Sequence, residues 1–144
     1  MKLAEPFTFF VDRSLGAAFV AGALRSAGHA VAVHDDHFAP DATDSDWLTA
    51  VGVRGWVVLT KDARIRTNSL EREMLLSANV AAFILGRGDM KGPEMATAFL
   101  TALPRMAKVL RRWDVPIVAT ITALGGVSVL YAGGMRLHPA RLVK

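Results

Sequence analysis

Apolar and polar positions along the chain repeat with two periods, and the switches between them mark out an alternating series of strands and helices. Residues 7–11 (Phe-Thr-Phe-Phe-Val) form a β-rich run closed by Asp12. Leu15, Phe19, Val20 and Leu24 then recur at helical spacing, predicting a helix over 14–27 with Ser14 as a candidate N-cap and Gly28 as its stop. A second short strand follows at 30–34, a short helix at 43–51, and a third, apolar strand at 55–60. A helix over 69–78 leads to a fourth strand at 80–85. Gly92-Pro93 opens a long helix to about Trp113, since proline in the first helical turn gives up no hydrogen bond. The uncharged stretch 115–135 is long enough to be tested as a membrane span. Its four paired glycines and partial alternation with Thr and Ser fit two strands joined at Gly125-Gly126 better, because Gly-Gly supplies the positive φ of a tight hairpin.

Strands that are apolar throughout and separated by helices predict an α/β fold, a mainly parallel sheet covered on both faces. No internal repeat, low-complexity tract or linker interrupts 1–144, so one domain is expected. In such sheets the working crevice lies at the carboxyl ends of the strands, and that decides which residues carry chemistry.

Composition changes this picture only in part. With 52% hydrophobic and 21% charged residues, the chain has the makings of a packed globule. The absence of cysteine removes disulfides, thiolate metal sites and Cys nucleophiles, and fits a reducing, cytoplasmic setting. The amino terminus lacks the apolar core of a signal peptide. Charge is unevenly spread: from residue 101 onward seven Lys/Arg face Asp114 alone, a balance of +6, while residues 1–100 sum to −2. Asp35, Asp36, Asp41, Asp44 and Asp46 fall within twelve residues. An acidic focus beside a basic half suits a metal-dependent enzyme acting on a polyanion, although on charge alone solubility and a solvated helix face are the better account.

Asp12 closes the first apolar run and Asp62 lies just past the third, in Leu59-Thr60-Lys61-Asp62. If the strands are parallel neighbours, both carboxylates emerge on one edge, with Asp44 on the intervening helix leaning over it. Crowded carboxylates repel unless a cation or proton compensates, which raises at least one pKa and predicts Mg²⁺ or Mn²⁺ on oxygen ligands. Each residue also has a structural reading. Asp12 can cap a helix, Thr43 to Asp46 fits a capping box, and Asp62 can pair with Arg64 in a turn. His34-Asp35-Asp36-His37 falls short of a zinc set without cysteine. Gly86-Arg87-Gly88 with Gly92 lacks the Lys-Ser/Thr of a phosphate-binding loop. Trp47 and Trp56 read as core; Trp113 is a further candidate for base stacking.

Beyond these patterns, Phe9-Phe10-Val11-Asp12-Arg13-Ser14-Leu15-Gly16 resembles the opening of PIN-like domains, in particular the VapC-type toxin branch. The likeness continues through Asp36-His37-Phe38, Asp44-Ser45-Asp46-Trp47-Leu48 and Trp56-Val57-Val58-Leu59-Thr60-Lys61-Asp62-Ala63-Arg64-Ile65, and covers most of the chain. The resemblance implies a Rossmann-like, three-layer fold and a Mg²⁺- or Mn²⁺-dependent ribonuclease that is held inactive by a partner antitoxin; a homodimer is compatible with it. It implies Asp12 and Asp62 as the strand-end acids and Asp44 as the helix acid. A fourth acid is Asp36 or Asp46, with Asp36 preferred. Arg13, Lys61, Arg64, Arg66, Arg111 and Arg112 are the candidate RNA contacts. Leu100, Leu103 and Met106 are expected to expose an apolar groove for the antitoxin. Two other readings compete. A receiver domain phosphorylated on Asp62 would need a later strand-end lysine that this chain lacks, and a catalytically silent PIN-like module would only bind RNA or antitoxin.

Overall fold

A computed structural model describes residues 1–86 and 89–144. The elements run β1 (Thr8–Val11), α1 (Phe19–Ser26), β2 (Ala30–Val33), α2 (His34–His37), α3 (Asp44–Arg54), β3 (Val57–Thr60), α4 (Arg64–Thr67), α5 (Ser69–Ser77), β4 (Ala81–Leu85), α6 (Gly92–Arg112), β5 (Ile117–Ile121), β6 (Val127–Ala132) and β7 (Met135–Val143). They build one seven-stranded sheet in the order β2-β1-β3-β4-β5-β6-β7. The first five strands of that order are mutually parallel and the last two antiparallel. The expected mainly parallel α/β sheet is what forms.

The two-residue period of each strand sorts its side chains between two cores. Phe9, Val11, Leu59, Phe83, Ile117 and Ala119 point to the face covered by α1 and α6. Phe10, Val58, Ala82, Ile84 and Val118 point to the face covered by α3, α4 and α5. Both faces are covered at β3 and β4, which is why their runs carry so little polarity. On α6 the apolar stripe Met95, Phe99, Ala102, Met106, Val109 and Leu110 is buried against the first face.

Several expectations need correction. The first helix does not begin at Ser14: a single 3-10 turn (Arg13–Leu15) comes first, Gly16 turns the backbone at φ 76, and α1 starts only at Phe19. Ser14 therefore caps nothing and is freed for other hydrogen bonds. His34 is not strand but the first residue of α2. The expected hairpin is the first half of a three-stranded meander. A second tight turn at Gly133-Gly134, both with positive φ, leads into β7, which the pattern did not reveal. The apolar groove on the long helix does not exist as expected. Met106 is fully buried and Leu103 partly so, leaving Leu100 at 37% exposure, because this spacing is the seam of α6 against the sheet. Arg87 and Gly88 of the glycine-rich loop lie outside the described residues. Among the described residues no helix is long and apolar enough to cross a membrane, and 115–135 forms strands.

Candidate active site

Parallel pairing of β1 with β3 brings Val11 level with Leu59, so the residues that follow each strand leave the sheet side by side. The Asp12 backbone N–H donates to the Leu59 carbonyl at 3.0 Å, carrying the ladder one residue beyond the strand. On this rim two hydroxyls converge on one carboxylate oxygen: Ser14 Oγ and Thr60 Oγ1 each donate to Asp12 Oδ2 at 2.8 Å. Both hydroxyls also accept from the next loop, Ser14 from the Lys61 N–H at 3.1 Å and Thr60 from the Asp62 N–H at 3.0 Å. Thr60 is 1% exposed. A buried hydroxyl that both donates and accepts fixes its neighbours, and this one couples Asp12 to the backbone that presents Asp62.

Asp44 reaches the same cleft from the first turn of α3. Thr43 caps this helix as expected, accepting from the Asp46 N–H at 3.2 Å. Trp47 Nε1, one turn on, donates to Asp44 Oδ1 at 3.0 Å and orients its carboxylate. Asp62 is held differently. Arg64 grips it with Nε at 3.0 Å from Oδ1 and Nη2 at 2.6 Å from Oδ2, and the Arg64 N–H also donates to Oδ1 at 3.0 Å. These hydrogen bonds from Arg64 hold the Asp62 carboxyl below its ordinary pKa, with partial burial opposing them. The same guanidinium lies 3.9 Å from Asp44 Oδ2.

A fourth acid lines the cleft, and it is neither of those anticipated. Glu71, on the first turn of α5, shares a cavity of about 150 Å³ with Asp12, Asp44 and Asp62, whereas Asp36 and Asp46 are exposed and outside it. Burial pushes the Glu71 carboxyl above its ordinary pKa, and repulsion from Asp44 pushes it further. In sequence Glu71 looks like a capping residue, three positions after Asn68, whose side chain does accept from the Leu70 and Glu71 N–H groups. Only the packing of α5 beside α3 turns it towards Asp44.

Of the basic residues singled out, only Arg64 lines this cleft. Arg13 pairs with Asp35 at 3.3 Å and donates to the Pro40 carbonyl. Arg111 is clamped by Glu5 at 2.7 Å, and Arg112 lies over the Trp113 ring at 4.5 Å. Arg66 lines a separate groove. The Lys61 backbone joins the rim through Ser14. Trp47 is buried against Phe10, and Trp56 stacks on the same ring. His34 is buried and bonded to Asp35.

Four carboxylates and two hydroxyls offer the hard oxygen donors that Mg²⁺ or Mn²⁺ takes, so the chemistry of the set fits such an ion. The spacing is another matter. Among the described residues no group of three His, Asp or Glu side chains is arranged to hold a metal, and Arg64 supplies the compensating charge at Asp62.

Comparison with known proteins gives the family. The family described as "PIN like domain" matches residues 7–87, which contain all four acids of the cleft. The chain is also 32% identical to "Putative ribonuclease VapC45" of Mycobacterium tuberculosis (strain ATCC 25618 / H37Rv), over 83% of this chain and 88% of that protein. No solved structure matches it. With the family match spanning more than half the chain and the strand-end acids gathered on one rim, this protein belongs to the PIN-like domain family.

Proposed function

We propose that this chain is a VapC-type toxin: a divalent-metal-dependent endoribonuclease that hydrolyses phosphodiesters of single-stranded RNA and is restrained by an antitoxin. The observation that carries the reading is the meeting of Asp12, Asp44, Asp62 and Glu71 in one cleft at the carboxyl rim of a parallel sheet. Similarity to a protein named as a ribonuclease supports the substrate class.

Asp12, Asp44 and Asp62, with Glu71 as the fourth acid, would hold Mg²⁺ or Mn²⁺. That ion supplies charge compensation at the phosphoryl oxygens and lowers the pKa of water. The protein's own share is preorganisation. Ser14 and Thr60 hold Asp12 by its Oδ2, and Trp47 holds Asp44 by its Oδ1. Among the described residues that line the cleft Arg64 is the one cation, and it is suited to meet a phosphate once it leaves Asp62. An exposed, flexible strand fits a shallow rim better than a duplex does.

The grip of Arg64 on Asp62 favours a second reading, a silent module that binds RNA or antitoxin without cutting. Incubating purified protein with single-stranded RNA, with Mn²⁺ and with EDTA, separates the two. The nuclease reading expects metal-dependent cleavage that Asp12→Asn abolishes in a still-folded protein. Intact RNA in every metal condition would leave the binding module. Co-expression with a candidate antitoxin tests the partner, with co-elution in gel filtration as the expected result.

A further inference from the structure

The helices on the second face of the sheet stop short of its antiparallel edge. Beyond α4 and α5, Leu130 and Tyr131 of β6 are only partly covered and most of β7 is exposed, and a groove of about 430 Å³ runs there beside the acidic cleft, Ile65 lining both. Its chemistry is the reverse of the cleft's. Arg66 and Arg72 come from the helix side and Arg136 and His138 from β7, around the ring of Tyr131, and no carboxylate lines it. The Arg72 guanidinium lies 5.7 Å from the Tyr131 ring centre and donates to the Arg66 carbonyl at 3.1 Å. Among the described residues none of these three arginines forms an ion pair with an acid, in contrast to Arg13, Arg64 and Arg111.

We infer that this groove is the track for the RNA strand adjoining the scissile phosphodiester, an inference that rests on the nuclease or RNA-binding reading of the neighbouring cleft. Three arginines without acidic partners match successive phosphates, and a half-buried tyrosine beside a planar guanidinium offers a platform for an unpaired base. Arg64 and Arg66, two residues apart on α4, point to the cleft and the groove respectively, so one strand can pass from one to the other without a gap. The other basic groove, with Arg112 and Arg141, lies against α6 and Trp113 and shares no residue with the acidic cleft.

The test is anisotropy of a fluorescein-labelled single-stranded RNA oligonucleotide in the Asp12→Asn background, titrated across salt. Arg66→Ala with Arg136→Ala should weaken binding of unrelated sequences about equally. It should lower the slope of log affinity against log salt by about 1.4, two contacts at about 0.7 each on a single strand. Tyr131→Leu should cost about tenfold, while Tyr131→Phe, which keeps the ring, should bind as the parent does. Thermal melts verify that each variant is folded. If the arginine pair binds with unchanged affinity and slope, or if Arg112→Ala with Arg141→Ala is the pair that weakens it, the groove is not the track. The cleavage assay keeps the two readings apart. Cleavage by the wild type with no effect of groove variants on binding overturns the track alone, and loss of binding without any cleavage overturns the nuclease alone.

Discussion

At the scale of single residues, the cleft is a balance between acids that repel and the few groups that compensate them. Asp62 is held by Arg64, whereas Glu71 is partly buried near Asp44, and the charge of Arg64 only partly offsets that burial and repulsion. Its folded-state pKa lies above the ordinary 4.5, so its ionised form costs the folded chain more than the unfolded one. The stability this group contributes is complete below the ordinary value and is lost as pH rises through the folded one. Glu71→Gln should therefore melt higher than wild type at pH 7 in EDTA, with the difference closing towards pH 4. A difference that stays constant over that range would show that repulsion is not what Glu71 adds. The legibility of these residues follows from what fixes them. Asp12 and Asp62 could be read because they sit at the ends of apolar strands, and parallel pairing leaves such ends on one rim. Asp44 could be read from the capping pattern behind Thr43. Glu71 could not, since its neighbours are chosen by how two helices pack, and Asn68 gives it a sufficient local reason to be there.

At the scale of elements, β1, β3 and β4 were legible because burial on both faces leaves runs with almost no polarity. β7 was not: its side chains are mostly exposed, so it has no apolar period, and it is a strand only because the ladder to β6 continues past Gly133-Gly134. The helical layer contains a constraint that no periodicity reports. Gly52 of α3 passes so close to the end of α5 that a methyl group there would be driven into the Ala78 carbonyl oxygen and against Val80. Gly22, exposed on α1, meets nothing within 4 Å. The two alanine substitutions should thus diverge. Gly22→Ala gains about 0.5–1 kcal/mol from helix propensity, whereas Gly52→Ala loses about 1–3 kcal/mol to overpacking. Urea melts measure both, and equal shifts would mean that α3 and α5 are not in close contact at this point. Because α3 carries Asp44 and α5 carries Glu71, loosening this contact should also reduce metal-dependent cleavage by Gly52→Ala.

At the scale of the whole molecule, the parallel half of the sheet carries the acids and the antiparallel edge carries exposed bases. A ligand of the folded state alone raises the melting temperature in proportion to the logarithm of its excess over Kd. Mn²⁺ or Mg²⁺ should do so here, and Asp12→Asn should blunt the shift. Arg64→Gln should enlarge it, because the ion no longer competes with the guanidinium for Asp62. Identical melts with metal and with EDTA would argue that Arg64 is the permanent counter-charge of the cleft. The basic edge has one more consequence. β7 is nine residues long with one side of its ladder unpaired among the described residues, the kind of strand that invites another chain to add on and grow an aggregate. Arg136 and Arg141 stand along it, and Pro139 lacks the amide proton that an incoming strand would need. Arg136, proposed to draw in a polyanion, would then also be a gatekeeper, and with Arg141 and Pro139 it would keep copies of the protein from zipping together edge to edge.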